Sequence, residues 1–209
     1  MKKYALGCGG LIIILGIIAL AGGCSSYNHL VGLSQGVDSQ WAQVQNQYQR
    51  RADLVPNLVQ TVSGAANFEK STLTDVIRAR AEATQVKVPV NQTPEAGQLE
   101  QYARAQDQLS SALSRLLVVV ERYPELRANA NFRDLQAQLE GTENRVAVER
   151  MRFNQAVQGY DTAIQRFPTV VWARLLGFHS KPYFQAAPGA ETPPKVQFDF
   201  NTPNPATQR

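Results

Sequence analysis

The chain has little of what catalytic chemistry is usually built from. Its 209 residues include two cysteines, Cys8 and Cys24, and two histidines, His29 and His179. Both cysteines lie inside or at the edge of an N-terminal apolar segment. The remainder therefore has no disulfide, no thiol nucleophile and no thiolate metal ligand. The histidines are separated by most of the chain, without a His-Glu-x-x-His spacing, so neither a metal nor a cofactor is expected. Ser110, Ser111 and Ser114 have no histidine or lysine at a catalytic spacing. The net charge of +4 is modest, and lysine and arginine are interspersed with acids. No basic block tracks a phosphate backbone, which argues against nucleic acid as a partner.

Charge is also absent between Lys3 and Asp38. Within that interval Tyr4 to Cys24 is rich in Leu, Ile, Ala and Gly, and Lys2 and Lys3 precede it. At 1.5 Å per residue it reaches about 31 Å as a helix, which matches a hydrocarbon core of about 30 Å. Residues 1–26 are thus expected to be a membrane anchor: a transmembrane helix with its N-terminus cytoplasmic and the main domain extracytoplasmic in a bacterium. A second reading rests on Ala21-Gly22-Gly23-Cys24-Ser25, which resembles a lipoprotein signal with Cys24 as the lipidated residue. Tyr27, Asn28 and Trp41 are candidates for an interfacial belt, with a core position as the alternative for Trp41.

Residues 27–185 read as one helical domain. Leu30, Leu33, Val37, Trp41, Val44 and Tyr48 advance in steps of three or four, and the pattern resumes after Pro56 and runs to about Val86. This predicts one long helix kinked at Pro56, or two nearly continuous ones. Thr93-Pro94-Glu95 supplies an N-cap, an N1 proline and an acidic first turn for a helix to about Arg122. Another is expected from about Asn131 to Phe167, with Met151 in its apolar stripe, and a short amphipathic one over Thr169–Gly177. The fold class is all-α: an antiparallel bundle of three to four long helices behind the N-terminal membrane helix. Residues 186–209 form a Pro-rich tail in which Val196, Phe198 and Phe200 alternate as a strand would. Seams of this length can also continue between molecules, which leaves a homo-oligomer open.

The run Arg50-Arg51-Ala52-Asp53-Leu54-Val55-Pro56-Asn57-Leu58-Val59 places a charge cluster beside a helix breaker. A proline in a helix removes one donor and clashes with the carbonyl four residues back. Arg50, Arg51, Asp53, Pro56 and Asn57 are the interaction candidates, since guanidinium groups bind carboxylates and phosphates bidentately. The structural alternative has one arginine paired with an acid on a neighbouring helix, while Asp53 and Asn57 satisfy groups freed by Pro56. Glu143, Asn144, Glu149, Arg150, Arg152 and Asn154 lie on a later helix that can pack beside the first. Convergence of Glu121, Glu140, Glu143 and Glu149 is the one arrangement that would support general acid–base chemistry.

In order along the chain, these landmarks resemble the LemA family of bacterial membrane-anchored proteins. The resemblance is carried by Tyr27-Asn28-His29-Leu30-Val31, Val37-Asp38 followed by Trp41, and the whole Arg50–Val59 run. It continues through Glu69, Ala79-Arg80-Ala81, Tyr123-Pro124-Glu125-Leu126, Asn131-Phe132 and Thr142-Glu143-Asn144-Arg145, then Phe153-Asn154, Phe167-Pro168, Gly177-Phe178 and Lys181-Pro182-Tyr183-Phe184. The chain departs from the family's usual form in the cysteine-bearing end of its apolar segment, and in that Asn154 follows Phe153, where a tyrosine is common. The resemblance implies an extracytoplasmic helical bundle, no catalytic residues, and membrane-associated partners that include a heat-shock-type membrane metalloprotease. The expected function is a non-enzymatic envelope scaffold, oligomer or adaptor for other envelope proteins at the membrane. Its rival is a carboxylate hydrolase or carbohydrate-binding module directed at the cell wall.

Overall fold

The computed structural model describes residues 2–65, 68–89 and 92–185, and the side chains of 2–13, 15 and 18–20 lie outside that description. Six helices occur in it: α1 Lys2–Ser63, α2 Lys70–Gln85, α3 Ala96–Val120, α4 Pro124–Ala128, α5 Ala130–Gln165 and α6 Thr169–Leu175. The alternating Val196, Phe198 and Phe200 fall outside the described residues. The expected anchor falls largely on undescribed side chains, and among the described residues no helix is long and apolar enough to cross a membrane.

The four long helices run up, down, up and down, with α1 packed chiefly on α5 and α2 on α3. Their buried side chains form two apolar clusters. One holds Leu30, Trp41, Tyr48, Leu99, Tyr102, Phe153 and Tyr160, close to where α1 enters the bundle. The other holds Val55, Leu58, Val62, Val76, Leu109, Leu116 and Phe132 at the far end. The apolar periodicity of each helix accounts for this arrangement, because one stripe per helix faces inward. Met151 is an exception to the expected stripe and is exposed.

Of the two alternatives at Pro56, the single helix is the one found, but its expected extent to about Val86 is corrected. The helix continues through Pro56 and ends at Ser63, with a turn at Gly64, and α2 begins at Lys70. An exposed proline costs one hydrogen bond and one steric adjustment, and the carbonyl it leaves behind finds another donor, described below. The start of α3 also differs. Glu95 is its N-cap, with the Glu95 amide donating to Gln98 Oε1 at 3.3 Å, while Thr93 turns to another helix. After Tyr123, Pro124 does not only stop a helix: it opens the five-residue α4 from its N1 position, where its missing donor is harmless.

Candidate functional site

Between the two apolar clusters lies a layer of polar side chains centred on Arg51. The position continues the inward seam of Val44, Tyr48 and Val55, so α1 delivers a guanidinium into the core, where Arg51 is 1 % exposed. Its Nη1 donates to Glu143 of α5 at 2.8 and 3.1 Å and also to the Ser110 hydroxyl of α3. Its Nη2 donates to the Gln106 backbone carbonyl at 3.0 Å and to the Gln106 side-chain oxygen. Gln106 in turn donates to the Ala83 carbonyl of α2 at 3.3 Å. Ser110 completes the set with hydrogen bonds to both Glu143 oxygens at 3.3 Å. One arginine therefore connects all four long helices at a single level.

The surroundings fix the charge state of the aromatic neighbours. The Tyr48 ring lies under the guanidinium, 5.1 Å from centroid to Cζ. Burial pushes its phenol up to about 12 against the opposing pull of Arg150 and Arg51. Burial likewise pushes Tyr102 up to about 12, with Arg51 pulling the other way. Both remain protonated at neutral pH. Tyr48 and Tyr102 also border a groove of about 480 Å³ between α1, α2 and α3.

The other candidates separate from Arg51. Arg50, Asp53, Pro56 and Asn57 are exposed and share the outer face of α1. Asp53 accepts from Gln49 Nε2 at 2.8 Å, and the Asn57 carbonyl accepts from the Thr61 hydroxyl at 2.8 Å. Neither one repairs the damage at Pro56, contrary to expectation. The carbonyl left without its helical donor is that of Ala52, four residues back, and Arg80 Nε of α2 donates to it at 2.8 Å. The four glutamates have separate partners: Glu143 binds Arg51, Glu149 pairs with Arg152, Glu121 with Arg127, and Glu140 accepts from Gln136. Among the described residues no cluster of three or more His, Cys, Asp or Glu side chains is suited to a metal.

A second polar node closes the end of the bundle nearer residue 24. Asp38 of α1 accepts from Lys181 Nζ at 2.8 Å, the Thr93 amide at 2.9 Å and the Thr93 hydroxyl at 2.7 Å. Partial burial alone would raise its pKa, yet these hydrogen bonds prevail and hold the carboxyl below its ordinary range. Nearby, Asn154 bonds the backbone of Phe184 in both directions, at 3.0 and 2.9 Å, so that Phe184 sits among Trp41 and Phe153. Trp41 is fully buried and donates to the Pro89 carbonyl at 2.9 Å, which settles its role as core; Tyr27 is exposed. Gln106, Arg80 and Lys181 acquire their roles only in three dimensions. For Gln106 the signal was a polar residue standing in an apolar register, between Tyr102 and Leu109.

Fold and site together define an antiparallel helical bundle, tied across its middle by one buried arginine and extended at one end by its first helix. The chain belongs to the LemA family, whose model matches residues 40–198, a range that holds the whole Arg51 layer and, of the second node, Thr93 and Lys181. It is similar to magnetosome proteins MamQ 2 and MamQ 1 of Paramagnetospirillum magneticum AMB-1, each 26 % identical over 203 residues, or 88 % of this chain and 74 % of the relative. Magnetosome protein MamQ of Magnetospirillum gryphiswaldense MSR-1 is 25 % identical over 183 residues, which cover 80 % of this chain and 67 % of the relative.

Proposed function

We propose that this protein is a membrane-tethered, non-enzymatic scaffold that holds a helical bundle at the extracytoplasmic face of a bacterial membrane and offers it to other envelope proteins. The observation that carries the reading is the continuity of α1: one helix runs from Lys2 through the apolar interval into the bundle core as far as Ser63. A tether joined to its load without a hinge fixes the orientation of that load. Binding would then use the outer face of α1, where Arg50, Asp53 and Asn57 remain exposed beside Pro56. Similarity to magnetosome proteins supports membrane association, and Cys24, which is exposed, keeps a lipid anchor as the alternative tether. A hydrolase would need carboxylates converging on a pocket, and the glutamates considered for that role have separate partners.

The test is to place a photo-crosslinking residue at Asn57 in the full chain expressed in its membrane, with vesicle flotation and intact mass run alongside. The scaffold reading expects a discrete crosslinked product, either a second copy or another envelope protein, that Asp53→Lys diminishes. Flotation without any crosslink from Asn57 would overturn the use of this face. Failure to float would overturn the tether itself.

A further inference from the structure

The end of the bundle nearer residue 24 carries a surface that the scaffold reading does not use. Helix α6 packs back on α1 through Ala173, which is buried, and through Trp172, whose ring atoms come within 3.1–3.3 Å of where a Cβ on Gly23 would stand. A side chain at 23 would press on the indole and require it to shift by a few tenths of an ångström. The turn after α6 is equally specific: Gly177 has φ +77°, and the Phe178 amide reaches back to the Ala173 carbonyl at 2.9 Å. These contacts hold α6 beside the last residues of the apolar interval and point its other side outward. That side is apolar. Phe167 is 84 % exposed and Leu175 72 %, with Val171 and Leu176 beside them.

We propose that α6 together with Phe167 is an interfacial foot that lies in the headgroup and upper acyl region of the bilayer around the anchor. The proposal rests on the tether reading, because it needs residues 4–24 to enter the membrane. Three observations favour lipid over other occupants. The face adjoins the end of the apolar interval at Gly23, the level where a bilayer surface would meet α1. Its charges are of one sign, since Arg166 and Arg174 are exposed and no acidic residue occurs between Asp161 and Glu191. Such a combination of large apolar side chains with arginines is what anionic membrane surfaces bind. Finally, Trp172 and Tyr27 supply the amphipathic rings that collect at such interfaces.

The two tryptophans make the test direct. Trp41 is fully buried and stands about 27 Å along α1 from Gly23, at 1.5 Å per residue. The full chain is reconstituted into phosphatidylcholine–phosphatidylglycerol vesicles whose acyl chains are brominated, then floated, and its fluorescence is compared with that in unbrominated vesicles. The Trp172 part of the emission should be quenched and the Trp41 part retained, so Trp172→Phe should abolish the quenching. Phe167→Ser/Leu175→Ser, at exposed positions, should keep its circular dichroism and still float, yet lose most of the quenching. Protein that floats with Trp172 unquenched would overturn the foot while leaving the tether intact. The same result with a mass in mild detergent that the double variant halves would assign the face to a second copy instead. Protein that does not float would overturn both readings.

Discussion

Arg51→Met removes the one group that touches α3 and α5 directly and reaches α2 through Gln106. Methionine preserves much of the volume and the apolar stem, so the loss isolates the guanidinium. Removing one member of a fully buried ion pair costs about 3–5 kcal/mol, because the other charge is left uncompensated. Here the Glu143 side chain keeps 36 % of its surface, so water can recover part of its hydration. The orphaned side-chain oxygen of Gln106, which is 4 % exposed, has no such recourse. Its lost charge-assisted hydrogen bond adds about 1–2 kcal/mol. Together these give an expected destabilisation of about 2–4 kcal/mol. Urea unfolding of the full chain in mild detergent, followed by circular dichroism, would measure it. Glu143→Leu in the Arg51→Met background should then recover at least about 1 kcal/mol, because an isolated carboxylate beside an apolar core is worse than none. A loss below about 1 kcal/mol for Arg51→Met, or a double variant no more stable than the single one, would refute the view that this layer acts as a coupled unit.

Arg80→Ala should cost about 1 kcal/mol by stranding the Ala52 carbonyl, and less in a Pro56→Ala background, where residue 56 regains an amide to serve it; additive effects of the two changes would argue against that exchange. Asp38 has a folded pKa below its ordinary value, so its contribution is present above the unfolded carboxylate value and lost as pH falls through the folded one. Asp38→Asn should therefore lower stability at pH 7 and converge with the parent in acid, which unfolding curves across that range would show. Asn154→Ala removes both hydrogen bonds to Phe184; hydrogen exchange at the Phe184 amide should accelerate well before exchange in the core of α5 changes.

The helices were legible because burial imposes a local period. Leu30 through Tyr48, Leu99 through Val120 and Phe132 through Ile164 each repeat every three or four residues, and that repeat survives whatever the helix packs against. Partners were less legible, since pairing Arg51 with Glu143 joins positions 92 residues apart, and no local pattern selects Glu143 over Glu149 or Glu140. Register offered a usable hint nonetheless: Arg51, not Arg50, continues the spacing of Tyr48 and Val55, so the sequence separates a core arginine from a surface one. Thr93 shows the converse error. Its position before Pro94-Glu95 satisfies every local rule for an N-cap, yet its hydroxyl serves Asp38, because Glu95 can begin the helix without it.

Pro56 shows why a local rule about breaking helices locates strain better than it locates breaks. The rule is sound about cost: proline deprives one carbonyl of its donor and crowds it. Whether a helix ends there depends on what else can reach that carbonyl, and Arg80 of α2 does so from outside. Gly64 needs no such rescue and carries no apolar side chain to bury, so the chain turns there. The consequence reaches function. A break at Pro56 would have separated the far apolar cluster from the helix that enters the bundle beside the apolar interval. With α1 unbroken, Val55, Leu58 and Val62 belong to the same rod as Trp41 and Gly23. On the tether reading, a tilt imposed on α1 near Gly23 would be carried along that rod into the bundle, where Arg51 bonds α1 to α3 and α5.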